Sequence, residues 1–231
     1  MDSRTSILDT IKKSIADIDK TKVPAPELPP IWDHKGLSKE ELSKVFSESV
    51  KAVAGEAVLC STPQDAVAEI CKRLKEFVQD SQQDKPYILG TYGSDLIKSL
   101  MPEILASLPD WKAEYAPENP DADPQVYQHM TASLVSPIVL LADTGSCPIE
   151  ARSAFERFLC YLAPKCLVVA KASQLREHLP DAWDEIETKM KSMEHGEVAI
   201  VTGPSRTADI EKKLVLGVHG PQKLIVFIIQ D

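Results

Sequence analysis

No stretch of this 231-residue chain approaches the roughly 20 consecutive apolar residues that cross a bilayer as a helix. The longest apolar runs, PIVLLA (137–142), CLVVA (166–170) and LIVFII (224–229), are strand-sized. The first twenty residues mix Asp with Lys and lack a continuous apolar core, so they read neither as a secretory leader nor as a transit peptide. Positive charge is also short. Twenty-six Lys and Arg stand against 35 Asp and Glu, a formal net charge of -9. An acidic chain gains nothing from releasing counterions, which excludes nucleic acid as an expected partner, and no basic amphipathic stretch suggests a membrane surface. GxGxxG, GxxxxGK[ST], GxSxG and HExxH are all missing. The five histidines, His34, His129, His178, His195 and His219, show no metal-ligand spacing.

Cysteine is present but unpaired in pattern. Cys60, Cys71, Cys147, Cys160 and Cys166 are odd in number and form no CxxC. They read as reduced, core or half-buried thiols of a cytoplasmic protein. An iron–sulfur cluster needs closely spaced thiolates, so no cluster is expected in this chain and any such chemistry has to come from a partner.

The sequence divides into an appendage and a main body. Ile7, Leu8, Ile11, Ile15 and Ile18 form one apolar stripe of a helix over residues 5–19. KVPAPELPPIWDHKG (22–36) then carries four prolines and reads as an extended arm. Residues 1–36 are therefore assigned to the appendage, its stripe packing on the chain's own body or on a second subunit, and residues 37–231 to one α/β domain. In that domain Ser38 with Glu41 predicts a capping box, and Thr62-Pro63 the start of the next helix. Strands are expected at 56–61, 86–90, 136–145, 166–171, 197–203 and 223–229. Helices are expected between them, including 149–162, 181–193 and one after Gly203. The strands are continuous apolar runs rather than alternating ones, which predicts a mostly parallel sheet covered by helices on both faces.

Two turns concentrate the polar chemistry. In VTGPSRTADIEKKLVLGVHGP (201–221), Gly203 and Pro204 leave a strand and Ser205 or Thr207 is placed to cap a helix. The first N–H groups of that helix, with the Arg206 fork, would grip an anion beyond the carboxyl end of a strand. Thr202 and Gly203 belong to the same turn. Asp209 and His219 are candidate hydrogen-bonding or proton-moving groups. In LLADTGSCPIE (140–150), Asp143, Thr144, Gly145 and Ser146 offer a carboxylate, hydroxyls and backbone N–H groups at a second strand end. The plain alternative is that Ser205 and Thr207 only cap, Arg206 only pairs with Asp209 or Glu211, and Asp143 only makes a turn.

Together these segments resemble the lactate utilisation protein C family, the LUD domain. The first motif is long and specific, and the resemblance runs from end to end. It implies a Rossmann-like fold related to ribose-phosphate isomerases, glucosamine-phosphate deaminases and CoA transferases. It further implies a part in oxidising L-lactate to pyruvate beside iron–sulfur partner proteins. The family's motif residues fall here on Asp143–Ser146, on Thr202 through Asp209, and on Gly217, His219, Gly220 and Pro221. Two other readings stand beside this one. One is an independent enzyme acting on a phosphorylated or CoA-linked small molecule; the other is a non-catalytic ligand-binding module.

Overall fold

The computed structural model describes residues 3–16, 32–33, 35–79, 85–116, 129–193, 196–208, 214–216 and 220–231. The chain falls into two units, residues 1–34 and 35–231. The first holds a helix, α1 (Ser3–Ala16), on which Ile7, Leu8 and Ile11 are exposed. The side chains of Ile15 and Ile18 lie outside the described residues.

The second unit contains helices α2 (Lys39–Ala52), α3 (Pro63–Val78), α4 (Asp95–Ser107), α5 (Ala154–Tyr161) and α6 (Leu179–Lys191). Its strands are β1 (Glu56–Cys60), β2 (Tyr87–Thr91), β3 (Trp111–Tyr115), β4 (Met130–Val135), β5 (Leu140–Leu141) and β6 (Ser146–Ala151). They continue with β7 (Lys165–Lys171), β8 (Leu175–Arg176), β9 (Glu197–Thr202), β10 (Arg206–Ala208), β11 (Leu214–Leu216) and β12 (Lys223–Ile229).

Six strands form one sheet in the order β1-β12-β7-β4-β2-β3, and every neighbouring pair is parallel. The central strands β4, β7 and β12 are buried almost throughout, and β7 and β12 are the continuous apolar runs that such burial demands. Phe227, Leu134, Ile70, Leu74, Ile97, Ile104 and Leu159 are fully buried and share one core between sheet and helices. α3 and α4 pack on each other, and α5 packs on β4 and β2.

The capping residues act as their sequence predicts. Ser38 and Glu41 make a reciprocal box at α2. At α3 the Thr62 hydroxyl accepts from the Asp65 N–H at 3.1 Å, and the Asp65 carboxylate accepts from the Thr62 N–H at 3.0 Å. Thr62→Ala removes one half of that exchange. It is expected to destabilise the domain by about 1 kcal/mol, read as a fall of roughly 2–4 °C in Tm. An unchanged Tm would show that water replaces the cap fully.

Four expectations need correction. β3 and β4 have no counterpart among the expected strands. β4, MTASLV, carries Thr and Ser on its buried run, so it does not read as an apolar strand. Thr131 is the extra residue where the β2–β4 register shifts between Ile88 and Leu89, and its hydroxyl accepts the Ile88 N–H at 3.1 Å. The expected strand over 136–145 is only β5, and it lies in a separate four-stranded sheet, β8-β5-β6-β9. The helix expected from Ile149 begins at Ala154 instead, because residues 146–151 turn back as β6, antiparallel to β9. Gly145, at φ 66°, makes that reversal.

The fourth difference is the helix expected after Gly203. Residues 206–208 and 214–216 form a two-stranded antiparallel hairpin, with Arg206 opposite Leu216 and Thr207 opposite Val215. The reason lies just upstream. Gly203 is left-handed at φ 76° and Pro204 is buried. The Ser205 N–H donates to the Pro221 carbonyl at 2.8 Å, tying the chain to the approach of β12 instead of releasing it into a helical turn. β9 and β12 are therefore not a parallel βαβ pair.

Candidate functional site

The strand order reverses at β2 and β4. The chain steps from β2 outward to β3, then returns to place β4 on the other side of β2. In an open parallel sheet the crevice outside the carboxyl ends of such strands is where ligands bind. Here β2 ends at Thr91 and runs on through Tyr92-Gly93-Ser94 into α4, and β4 ends at Val135 before Ser136-Pro137. Two adjoining cavities open at this place, of about 490 and 800 Å³. Tyr92, Ser94, Glu150 and Lys189 line both.

Each wall has a local cause. Tyr92 is buried, and its hydroxyl donates to the Ser136 carbonyl and accepts the Ser136 N–H at 3.1 Å, which locks the ends of β2 and β4 together. Burial pushes its phenol well above the usual range, so it stays protonated. Ser94 and Ser153 cap α4 and α5 by accepting the Ile97 and Glu156 N–H groups, both at 3.3 Å, and both caps line the larger cavity. Pro137, Ile138 and Gln174 close the smaller arm, where the Gln174 amide donates to the Pro137 carbonyl at 2.6 Å.

The charges are mixed. Lys98, Arg152 and Lys189 line the larger cavity together with Asp95, Glu150 and Glu156. Most are already engaged. Arg152 donates to Glu150 Oε1 at 3.2 Å, and its backbone N–H donates to Glu156 at 2.7 Å. Burial raises the Glu156 carboxyl above its ordinary range, opposed in part by that N–H and by the Arg152 charge. In the smaller arm Glu185 is held by Arg176 at 2.6 Å. Lys98 is exposed and makes no ion pair among the described residues. Among those residues no group of three or more His, Cys, Asp or Glu could hold a metal ion.

The residues singled out from the sequence lie elsewhere. The two turns do meet, since the buried Ser146 hydroxyl lies 2.8 Å from that of Thr202 and donates to that of Thr144 at 2.8 Å. Their meeting place is the β6–β9 pair, four residues along β6 from Glu150, about 13 Å away. Gly145 packs on the Ser49–Val50 backbone of α2, and Gly203 on the Val53 carbonyl at its end. Asp143 Oδ2 stands 3.1 Å from His178 Nδ1, its carbonyl accepts the Ser49 hydroxyl at 3.2 Å, and Glu177 lies 3.7 Å from the other ring nitrogen. Pro204 is buried, while Arg206 is exposed at the start of β10. The side chain of Thr207, and Asp209, Gly217 and His219 entirely, lie outside what is described. Sequence reasoning passed over Lys98, Glu150, Arg152 and Lys189. TYGSD, a polar turn between a strand and a capped helix, was the available signal for the crevice.

An open parallel α/β sheet with a crevice at its switch point defines a broad class of ligand-binding and catalytic proteins. Within that class residues 43–229 match the LUD domain, and the chain belongs to this family. It is similar to lactate utilization protein C of Bacillus pumilus (strain SAFR-032), with 27% identity over 208 residues, covering 87% of this chain and 83% of that protein. It is also similar to lactate utilization protein C of Geobacillus thermodenitrificans (strain NG80-2), at 24% identity and 87% of both chains. A crystal structure of a DUF162 family protein from Deinococcus radiodurans superposes with a TM-score of 0.58 at 16% identity, over 84% of this chain and 99% of that one. That likeness establishes the fold.

Proposed function

We propose that this chain takes part in lactate utilisation and that the crevice at the carboxyl ends of β2 and β4 holds a small anionic ligand. The names of its relatives support the first half of the reading. The observation that carries the second half is Lys98, a cation without an ion pair among the described residues, lining a cavity beside two capped helix starts. Electron transfer in lactate oxidation would fall to iron–sulfur partner proteins. The five thiols here are all buried, and among the described residues no group of three or more His, Cys, Asp or Glu is placed to hold a metal ion.

Thermal melting against L-lactate, pyruvate, phosphate, a sugar phosphate and a CoA ester tests the crevice. A ligand at about 100 times its Kd should add roughly 2.7 kcal/mol of stability, a shift on the order of 5–10 °C. That shift is expected to disappear in Lys98→Ala. A chain that no compound stabilises would overturn the reading.

A second location is favoured by one observation, the convergence of the Thr144, Ser146 and Thr202 hydroxyls next to the turn that leads to Arg206. A ligand shift lost in Arg206→Ala but kept in Lys98→Ala would place the anion there.

A further inference from the structure

Apart from Leu59 on β1 and Tyr115 at the crevice, the exposed large apolar side chains described in the second unit gather around one strand. Ile200 is on β9, Tyr161 and Leu162 are at the end of α5, and Trp183 and Met190 are on α6. Both helices pack on β9, from opposite faces. Val201 adjoins the main core that α5 helps to form, and Val198 packs with Ile186 of α6. β9 is also the last strand of its sheet. Its main-chain groups point alternately toward β6 and toward the open side. The Pro148 carbonyl accepts the Ile138 N–H at 2.8 Å, on the β5 side of β6. Pro148 and its partner Ile200 are therefore a non-hydrogen-bonded pair. By the same alternation Val198, Ile200 and Thr202 turn their N–H and C=O groups outward, where they meet no main-chain partner among the described residues. Nothing in the strand blunts this edge. EVAIVT has no Lys, no Pro and no bulge, the usual protections against pairing with another chain. Its one charge, Glu197, already accepts from Arg157 at 2.8 Å.

We infer that β9 is a self-pairing edge, which joins two copies of this chain antiparallel about a twofold axis at Ile200. The register sets Ile200 opposite its own copy, Val198 opposite Thr202 and Glu197 opposite Gly203, so no like charges face each other. Ile200, half exposed in the single chain, is thereby covered. The outward N–H and C=O groups of Val198, Ile200 and Thr202 bond to those of the other copy, and two four-stranded sheets become one. A stable dimer ordinarily buries about 1,200–2,000 Å² in total, more than one short strand provides. The apolar side chains of α5 and α6, on either face of β9, supply the remainder. A second copy suits this edge because an isologous contact must be its own complement, and this strand is. A chain of net charge -9 repels its like, so two copies meet best where the surface carries no free charge. The β1 edge, with Leu59 alone, has no such surroundings.

Sedimentation velocity of the full chain, from low to high micromolar concentration, tests the pairing. The wild type is expected to pass from monomer to dimer over that range. Ile200→Lys sets two ammonium groups face to face on the axis and should weaken dimerisation at least about tenfold. Because Ile200 is half exposed, the variant should melt close to the wild type when both are dilute. Leu59→Lys, on the edge of the other sheet, should dimerise as the wild type does. Ile200→Cys reads the register separately. Opposed residues of a hydrogen-bonded antiparallel pair have Cα atoms about 5.5 Å apart, within disulfide reach. Mild oxidation should therefore link this variant into a covalent dimer, since the five native thiols are buried. A wild type that stays monomeric throughout would overturn the inference. So would a dimer that survives Ile200→Lys, one that Leu59→Lys abolishes, or an Ile200→Cys chain that does not cross-link.

Discussion

Gly145→Ala is expected to lower the unfolding free energy by about 3–4 kcal/mol and Tm by roughly 10 °C. Two penalties act at that position. The residue sits at φ 66°, where an L side chain carries a cost of roughly 1–2 kcal/mol. A Cβ there would also stand 2.6 Å from the Val50 nitrogen, 2.8 Å from the Ser49 carbonyl carbon and 2.9 Å from the Val50 Cα. All three are main-chain atoms of α2, which cannot rotate aside as a side chain would. Gly36 separates the two terms. It has nearly the same φ, 63°, with nothing within 4 Å of its added Cβ. Gly36→Ala should therefore cost only about 1 kcal/mol. Gly203→Ala, whose Cβ would meet the Val53 carbonyl oxygen at 2.6 Å, should behave like Gly145→Ala. Urea unfolding of the three variants side by side reads the difference. If Gly36→Ala and Gly145→Ala lost the same stability, the close approach of the ADTGS turn to α2 would have no energetic content.

This packing role shows why the fold was more legible in the sequence than the site. Local signals were sufficient wherever one element decides its own form. The Ser38–Glu41 and Thr62–Asp65 boxes and the apolar runs of β7 and β12 are stated within a few residues each. They predict the parallel sheet, its covering helices and the starts of α2 and α3. The motif VTGPSRTADIE was also conspicuous, but its form is decided at a distance. Ser205 bonds to Pro221, and Gly203 rests on Val53. Neither partner can be inferred from spacing, so a turn that resembles a strand-to-helix junction becomes a strand-to-hairpin one. The crevice residues have the opposite problem. Lys98, Glu150, Arg152 and Lys189 come from three separate elements and no single stretch looks unusual. Only the strand order brings them together, and strand order depends on β3 and β4, the two strands whose mixed composition hid them.

Stability is expected to fall steeply above about pH 9, because the core holds protonated thiols. Burial pushes Cys166 up to about 11, against a partial opposing effect from the Ser133 hydroxyl. Cys147 and Cys160 are raised as well, by burial first and by neighbouring thiols second. A thiol whose folded pKa is raised stays neutral in the fold while the same thiol ionises in the unfolded chain. Below the ordinary thiol pKa both states are protonated and there is no effect. Between that value and the folded pKa the unfolded state gains about 1.4 kcal/mol per pH unit for each such thiol. Cys166 alone, across its window from 9 to about 11, accounts for a loss on the order of 2–3 kcal/mol. Cys147 and Cys160 act in the same direction, and the Cys166 loss is already a large share of the roughly 5–15 kcal/mol that ordinarily holds a domain together. Urea midpoints measured under reducing conditions at pH 7, 9 and 10.5 should therefore change little between the first two and drop sharply at the third. Cys166→Ala should begin lower at pH 7, since it leaves a cavity in the core, yet decline less from pH 9 to 10.5. A midpoint that is flat to pH 10.5 would mean that the buried thiols do not govern the alkaline limit. A parallel decline in wild type and Cys166→Ala would place that limit on other residues.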